Sequence, residues 1–133
     1  MNDLTVSNIE RQNVLNNSYA LQAIQENLDV NGLRFHDQVL FTTKMVAEFY
    51  GVDERTIKRY IQEYGDELRA NGYFLSQGNS LKEIRLHFDG DINVPNKVRK
   101  LGVFTFRAFL NIGMLLTESE RAKQLRTRIL DIV

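Results

Sequence analysis

Residues 43–62, TKMVAEFYGVDERTIKRYIQ, constrain the fold more tightly than any other stretch of the chain. Ala47, Gly51, Val52, Asp53 and the pair Thr56-Ile57 stand at offsets that suit two short helices crossing over a tight turn. Ala47 falls where the helices cross and only a small side chain fits. Gly51 falls in the turn, where the backbone needs a positive φ that glycine adopts without strain. Val46, Tyr50, Val52, Ile57 and Tyr60 hold the positions that must be apolar to close the wedge between the helices. Asp53 is a good N-cap, so the second helix is expected to begin at Glu54. Apolar periodicity alone also fits an ordinary helical pair inside a core. Small residue, glycine, valine and cap at fixed offsets are what narrow the reading to a helix-turn-helix.

The outward face of that second helix combines Arg55, Thr56, Lys58, Arg59 and Gln62. Its cations suit phosphate, arginine can bind guanine through two hydrogen bonds, and glutamine can do the same with adenine. Lys44, at the start of the first helix, adds a further candidate cation. Glu54 either accepts from cytosine or simply complements the positive end of the helix dipole, and the second reading is the simpler. Double-stranded DNA read by residues 54–64 in the major groove is the ligand class these side chains suggest.

Upstream, residues 7–28 place Ile9, Val14, Leu21, Ile24 and Leu28 at helical spacing, with Asn13, Asn16, Asn17 and Ser18 weakening the middle. An amphipathic helix, whole or broken there, is expected in residues 1–31, as a candidate dimerisation arm. Asn31-Gly32 ends it. Leu33, Phe35, Val39 and Phe41 then flank His36-Asp37-Gln38, the pattern of a short hairpin leading into the helix at Thr43.

Downstream, Asn71-Gly72 makes a second break. Ile84, Leu86 and Phe88 alternate with Glu83, Arg85 and His87, so residues 72–88 are expected to form a second hairpin. It would stand where a winged helix-turn-helix carries its wing, with Lys82 and Arg85 available to phosphate, or it would be an ordinary hairpin with solvated charges. Residues 89–102 form the longest loop candidate. From Phe104 the chain is expected to be helical, with Thr117 and Glu120 as a capping box for a last helix that presents Ala122, Leu125, Ile129 and Ile132 on one face. Arg121, Lys123, Arg126 and Arg128 on that helix are either a second DNA contact or a solvated face, the latter preferred.

The expectation is therefore one α+β domain over residues 32–133, winged helix-turn-helix-like, with an N-terminal helix, two short hairpins and two C-terminal helices. The last helix ends on Asp131-Ile132-Val133 with no glycine stop, which suggests that a longer protein continues beyond it.

Composition limits the chemistry. With no cysteine among 133 residues, disulfide frameworks, thiolate metal sites and cysteine nucleophiles are excluded together, and a cytoplasmic location is expected. Net charge is zero, which disfavours indiscriminate coating of nucleic acid. Charge is nevertheless uneven: residues 1–66 carry 6 Lys/Arg against 10 Asp/Glu, and residues 67–133 carry 11 against 7. His36 and His87 are too few and too loosely framed for a metal or nucleophile site, and Asp89, Asp91 and Asn93 lack the later glutamate of a calcium loop. No phosphate loop or dinucleotide fingerprint is present. A non-enzymatic protein with no cofactor is expected.

Two stretches carry a resemblance. MVAEFYGVDERTIKRYI is similar to the helix-turn-helix of lactose-repressor-type regulators, over about twenty residues. More widely, GLRFHDQVLFTTKMVAEFYGVDERTIKRYIQEYGDEL resembles RhuM-type virulence-associated and prophage proteins, and FTFRAFLNIGMLLTESERAKQLRTRILDIV resembles the corresponding helices of Bro-N and KilA-N-like phage antirepressor domains. Together they span residues 32–133. The resemblance implies a DNA-binding module of mobile-element origin, commonly the N-terminal part of a longer protein and sometimes encoded beside a Fic/Doc-type toxin. Such families repress, antagonise a repressor, or act as antitoxins. A homodimer is expected, because DNA half-sites usually present two recognition surfaces about one helical turn apart, with the N-terminal helix and Ile132-Val133 as candidate contacts. The rival reading is a protein-interaction module that binds a repressor or toxin without touching DNA.

Overall fold

In a computed structural model that describes residues 3–28 and 30–132, the chain is α+β, with eight helices and a four-stranded antiparallel sheet among the described residues. Residues 7–28 form two helices, α1 (Asn8–Leu15) and α2 (Ser18–Asn27), and the asparagine-rich middle is the break. Asn17 turns from helix breaker to N-cap there, its side chain accepting from the Ala20 N–H at 3.0 Å. Val14 and Ile24, two of the apolar residues of the candidate dimerisation arm, are only 3% and 2% exposed and lie in the main core. Of the candidate contacts at the other end, Ile132 is partly buried against the same core and Val133 lies outside the described residues.

The first hairpin forms as expected: β1 (Leu33–Phe35) and β2 (Gln38–Thr42) pair across the His36-Asp37 turn. The chain then enters α3 (Thr43–Tyr50) and α4 (Glu54–Glu63), followed by the short α5 (Gly65–Ala70).

The second hairpin does not form. Only its first strand exists, β3 (Tyr73–Gln77), and the segment expected as its partner is a helix, α6 (Gly78–His87). Ile84, Leu86 and Phe88 do alternate, but Leu81, Ile84, Arg85 and Phe88 also satisfy a helical period. The helix wins because it buries Leu81 and Ile84 together and leaves Leu86 as its only exposed large apolar side chain. The partner of β3 is instead β4 (Lys100–Thr105), drawn from the end of the expected loop and the start of the expected helix. Strand order is β1-β2-β4-β3, so the last strand in sequence lies inside the sheet. There is accordingly no wing at residues 72–88.

Alternation along the strands separates two cores. Phe41, Tyr73 and Phe104 join the large helical core, while Leu33, Leu40 and Val103 pack with Ile84 of α6 and Val94 of the loop on the opposite face. Both faces are thereby covered. The main core is organised around α7 (Phe106–Leu115), which starts two residues later than expected because Phe104 and Thr105 belong to β4. Every residue of α7 from Ala108 to Leu115 is buried, so this helix has no solvated face over that stretch. The final helix, α8 (Glu120–Ile132), buries Ala122, Leu125 and Ile129.

Candidate nucleic-acid interface

The two-helix unit at residues 43–62 adopts the local geometry its spacing requires. Gly51 ends α3 in the left-handed region, φ 68° and ψ 36°, and the Val52 N–H reaches back to the Ala47 carbonyl at 3.0 Å. The Asp53 carboxylate caps α4, accepting from the Arg55 N–H at 3.0 Å. Val46, Ala47, Tyr50, Ile57 and Tyr60 are all buried, which fixes α4 with the opposite side outward.

That side carries Arg55, Lys58, Arg59 and Gln62, all exposed and spaced at i, i+3, i+4 and i+7, so they form one stripe. Thr56 is half-buried at its margin. Arg55 is nearly unencumbered, with its side chain 92% exposed and Asp53 only grazing it at 3.9 Å. Lys58 makes no ion pair with the described residues. Lys44, on the first turn of α3, lies 4.0 Å from Glu48.

Arg59 is committed elsewhere. Its guanidinium donates to the Glu118 carboxylate, whose other oxygen accepts from the Tyr60 hydroxyl at 2.5 Å. The Tyr60 bond is the main reason the Glu118 carboxyl is held below its ordinary pKa; slight burial opposes it, and Arg59 and Thr117 add to the lowering. Nothing in local spacing signals this contact, because the partners are 59 residues apart.

Ser119, not Thr117, caps α8: its Oγ accepts from the Ala122 N–H at 3.0 Å and donates to the Tyr50 carbonyl at 2.6 Å. One hydroxyl thus satisfies the end of α3 and the start of α8, while Thr117 is taken up by Tyr60. Tyr50 itself donates to the Phe109 carbonyl at 2.8 Å and lies against Gly113, where an added Cβ would come within 2.2 Å of the Tyr50 oxygen. Burial raises the Tyr50 pKa well above its ordinary value, so the hydroxyl stays a donor. These contacts tie α3, and α4 with it, to α7 and α8.

Lys82 and Arg85 are not brought to the stripe. Both are on α6, which packs on the sheet face opposite the helical core that holds α4. Lys82 is exposed, whereas Arg85 donates to the carbonyls of Pro95 and Val98 and pins the 88–99 loop. The basic residues of α8 divide likewise. Arg126 donates to the Gly113 and Leu116 carbonyls at 3.0 and 2.7 Å, closing the end of α7, and burial lowers its pKa. The Arg121 guanidinium lies 4.2 Å above the Phe49 ring. Lys123 and Arg128 remain exposed.

A polar clasp that local spacing does not signal joins α1 to this assembly. Glu67 of α5 receives two hydrogen bonds from Arg11, at 2.7 and 2.8 Å, with further donations from Asn8 and Asn111 at 2.7 Å each. Asn111 also accepts from Asn71 at 2.9 Å, and Asn71 accepts from Arg107 at 2.9 Å. Burial pushes the Glu67 pKa up, but the donated bonds outweigh it and leave the carboxyl below its ordinary value.

Comparison with protein-family models, curated proteins and solved structures finds no match for this chain. Among the described residues no helix is long and apolar enough to cross a membrane, and no three His, Asp or Glu side chains gather as metal ligands.

Proposed function

We propose that the chain is a sequence-specific DNA-binding protein of mobile-element type, a transcriptional regulator or antitoxin-like autoregulator whose helix-turn-helix inserts α4 into the major groove. The observation that carries this reading is the stripe of Arg55, Lys58, Arg59 and Gln62, outward-facing on a helix that packs against α3 and α5. The resemblance to RhuM-type and Bro-N or KilA-N-like domains supports it. Phosphate contacts fall to Lys58 and Lys44, and base contacts to Arg55, Thr56 and Gln62, with Arg59 available once Glu118 releases it. Lys82 and Arg85 have no part in the proposed contact surface, because the wing that would carry them is absent. Half-site geometry calls for a homodimer, working in the cytoplasm without cofactor or catalysis.

Local charge shapes the expected behaviour. From Thr43 to Ala70 the cations Lys44, Arg55, Lys58, Arg59 and Arg69 face the carboxylates of Glu48, Asp53, Glu54, Glu63, Asp66 and Glu67. Affinity then rests on directed contacts rather than on a strong positive field, and nonspecific binding is weak. That balance, together with the occupied Arg59, is what favours the second reading, a module that binds a repressor or toxin through the same surface. Retention of a genomic duplex library at low and raised salt separates them. The DNA reading expects salt-sensitive retention that Arg55→Ala with Lys58→Ala abolishes; no retention of any duplex by folded protein favours the protein-interaction reading.

A further inference from the structure

A recess of about 240 Å³ opens between α2, α3 and α8, on surface the DNA reading does not use. Its walls include Leu28, Phe49 and Leu125, its rim carries Arg121, Gln124 and Arg128, and among the described residues no carboxylate lines it. Asp131 belongs to the neighbouring depression beyond Arg128. Leu28 and Leu125 also line a narrow cleft along the α2–α8 seam, whose floor includes the buried Ile24 and Ile129.

The two arginines are the informative part. Most other arginines near the core have their N–H groups occupied: Arg11, Arg59, Arg107 and Arg126 all donate to carbonyl or carboxylate oxygens. Arg121 and Arg128 donate to no acceptor among the described residues, although both line the same concavity. Arg121 is held by its face, stacked 4.2 Å from the centre of the Phe49 ring. Stacking uses the flat face of a guanidinium and leaves its in-plane N–H donors free and oriented, which suits two parallel bonds to a carboxylate. Seven residues apart on α8, Arg121 and Arg128 stand two helical turns from each other on one side, with Gln124 and Leu125 between them.

From this arrangement we infer that the recess binds a small monocarboxylic acid with a short apolar body, the carboxylate on Arg121 and Arg128 and the hydrocarbon against Leu28, Phe49 and Leu125. The inference goes beyond the DNA reading and stands or falls independently of it.

Octanoate is the probe, followed by amide chemical-shift mapping of the full chain. Two half-probes separate the components: 1-octanol has the chain without the charge, and inorganic phosphate has charge without an apolar body. Octanoate should shift the amides of Leu28, Phe49, Gln124 and Leu125, with octanol and phosphate each binding about tenfold more weakly or worse. Arg128→Gln, which removes no hydrogen bond seen in the fold, should weaken octanoate by about fivefold and leave octanol unchanged. Arg121→Gln should weaken it further, its spectrum showing that the fold persists. Absence of shifts at about 10 mM octanoate, shifts centred elsewhere, or equal binding of octanoate and octanol would each overturn the proposal.

Discussion

Replacing Glu67 by Gln removes a charge while nearly conserving shape, and the structure sets how much that should cost. The Arg11 side chain is 5% exposed and that of Glu67 11%, so the pair is shielded from water and from salt. Breaking a buried pair by removing one partner costs about 3–5 kcal/mol, because the remaining charge is left without compensation. The substituted amide would keep one carbonyl acceptor, which places the loss near the lower end, about 3 kcal/mol. Its new N–H donors would also face those of Arg11, Asn8 and Asn111, preventing much recovery. A chain of this size should therefore melt about 10 °C lower. Urea unfolding at neutral pH measures the loss directly, and Glu118→Gln provides the contrast: Arg59 and Glu118 are 53% and 43% exposed, so that change should cost no more than about 1 kcal/mol. The pH dependence carries the same signature. Since the folded pKa of Glu67 lies below its ordinary 4.5, its stabilisation is complete above that value and is lost as the pH falls through the lower folded value. Wild type should lose stability over that acid range more steeply than Glu67→Gln. A loss below about 1 kcal/mol for Glu67→Gln, or parallel acid profiles, would refute the clasp as a stabilising device.

Gly113→Ala should destabilise by about 3 kcal/mol, since its Cβ would meet the Tyr50 oxygen at 2.2 Å and Leu125 at 2.9 Å; adding Tyr50→Phe should return part of that in a double-mutant cycle by thermal melts. Ser119→Ala removes an N-cap and orphans the Tyr50 carbonyl, so about 2 kcal/mol should be lost, with hydrogen exchange accelerating first at the start of α8. If α4 enters the groove, Glu118→Gln should free Arg59 and raise duplex affinity a few-fold while steepening the log–log salt slope by about one phosphate equivalent, read by titration at several salt concentrations.

What could be read from the sequence was local. Ala47, Gly51, Val52, Asp53 and Ile57 act within a few residues of one another, and each stands where its spacing placed it. The first hairpin and the break at Asn16-Asn17 follow for the same reason. Residues 78–88 were ambiguous because a short run of alternation fits two periods, and only packing on β3 and β4 chooses the helix. β4 was hidden because Lys100–Thr105 has no partner near it in sequence and adjoins a strongly helical apolar run. The commitments of Arg59 to Glu118, Ser119 to Tyr50 and Glu67 to Arg11 span 56 to 69 residues, beyond the reach of any spacing rule. Of the candidate interface, the stripe on α4 was legible, while the carboxylate that holds one of its arginines was not.

The central position of β4 also orders events during synthesis. β2 and β3 reach each other only through β4, whose register pairs Phe41 and Tyr73 with the same Phe104. Until residue 105 has left the ribosome, neither strand has the neighbour that satisfies its inner edge, and α7, the helix around which the main core closes, has not yet been made. The nascent chain can form its local helices early but cannot lock them, so commitment to the native state waits for residues 100–115, which supply β4 and α7. Pairings this distant slow folding and prolong the exposure of unpaired strand edges. Truncations that stop short of β4 should therefore yield aggregation-prone chains rather than a smaller working headpiece.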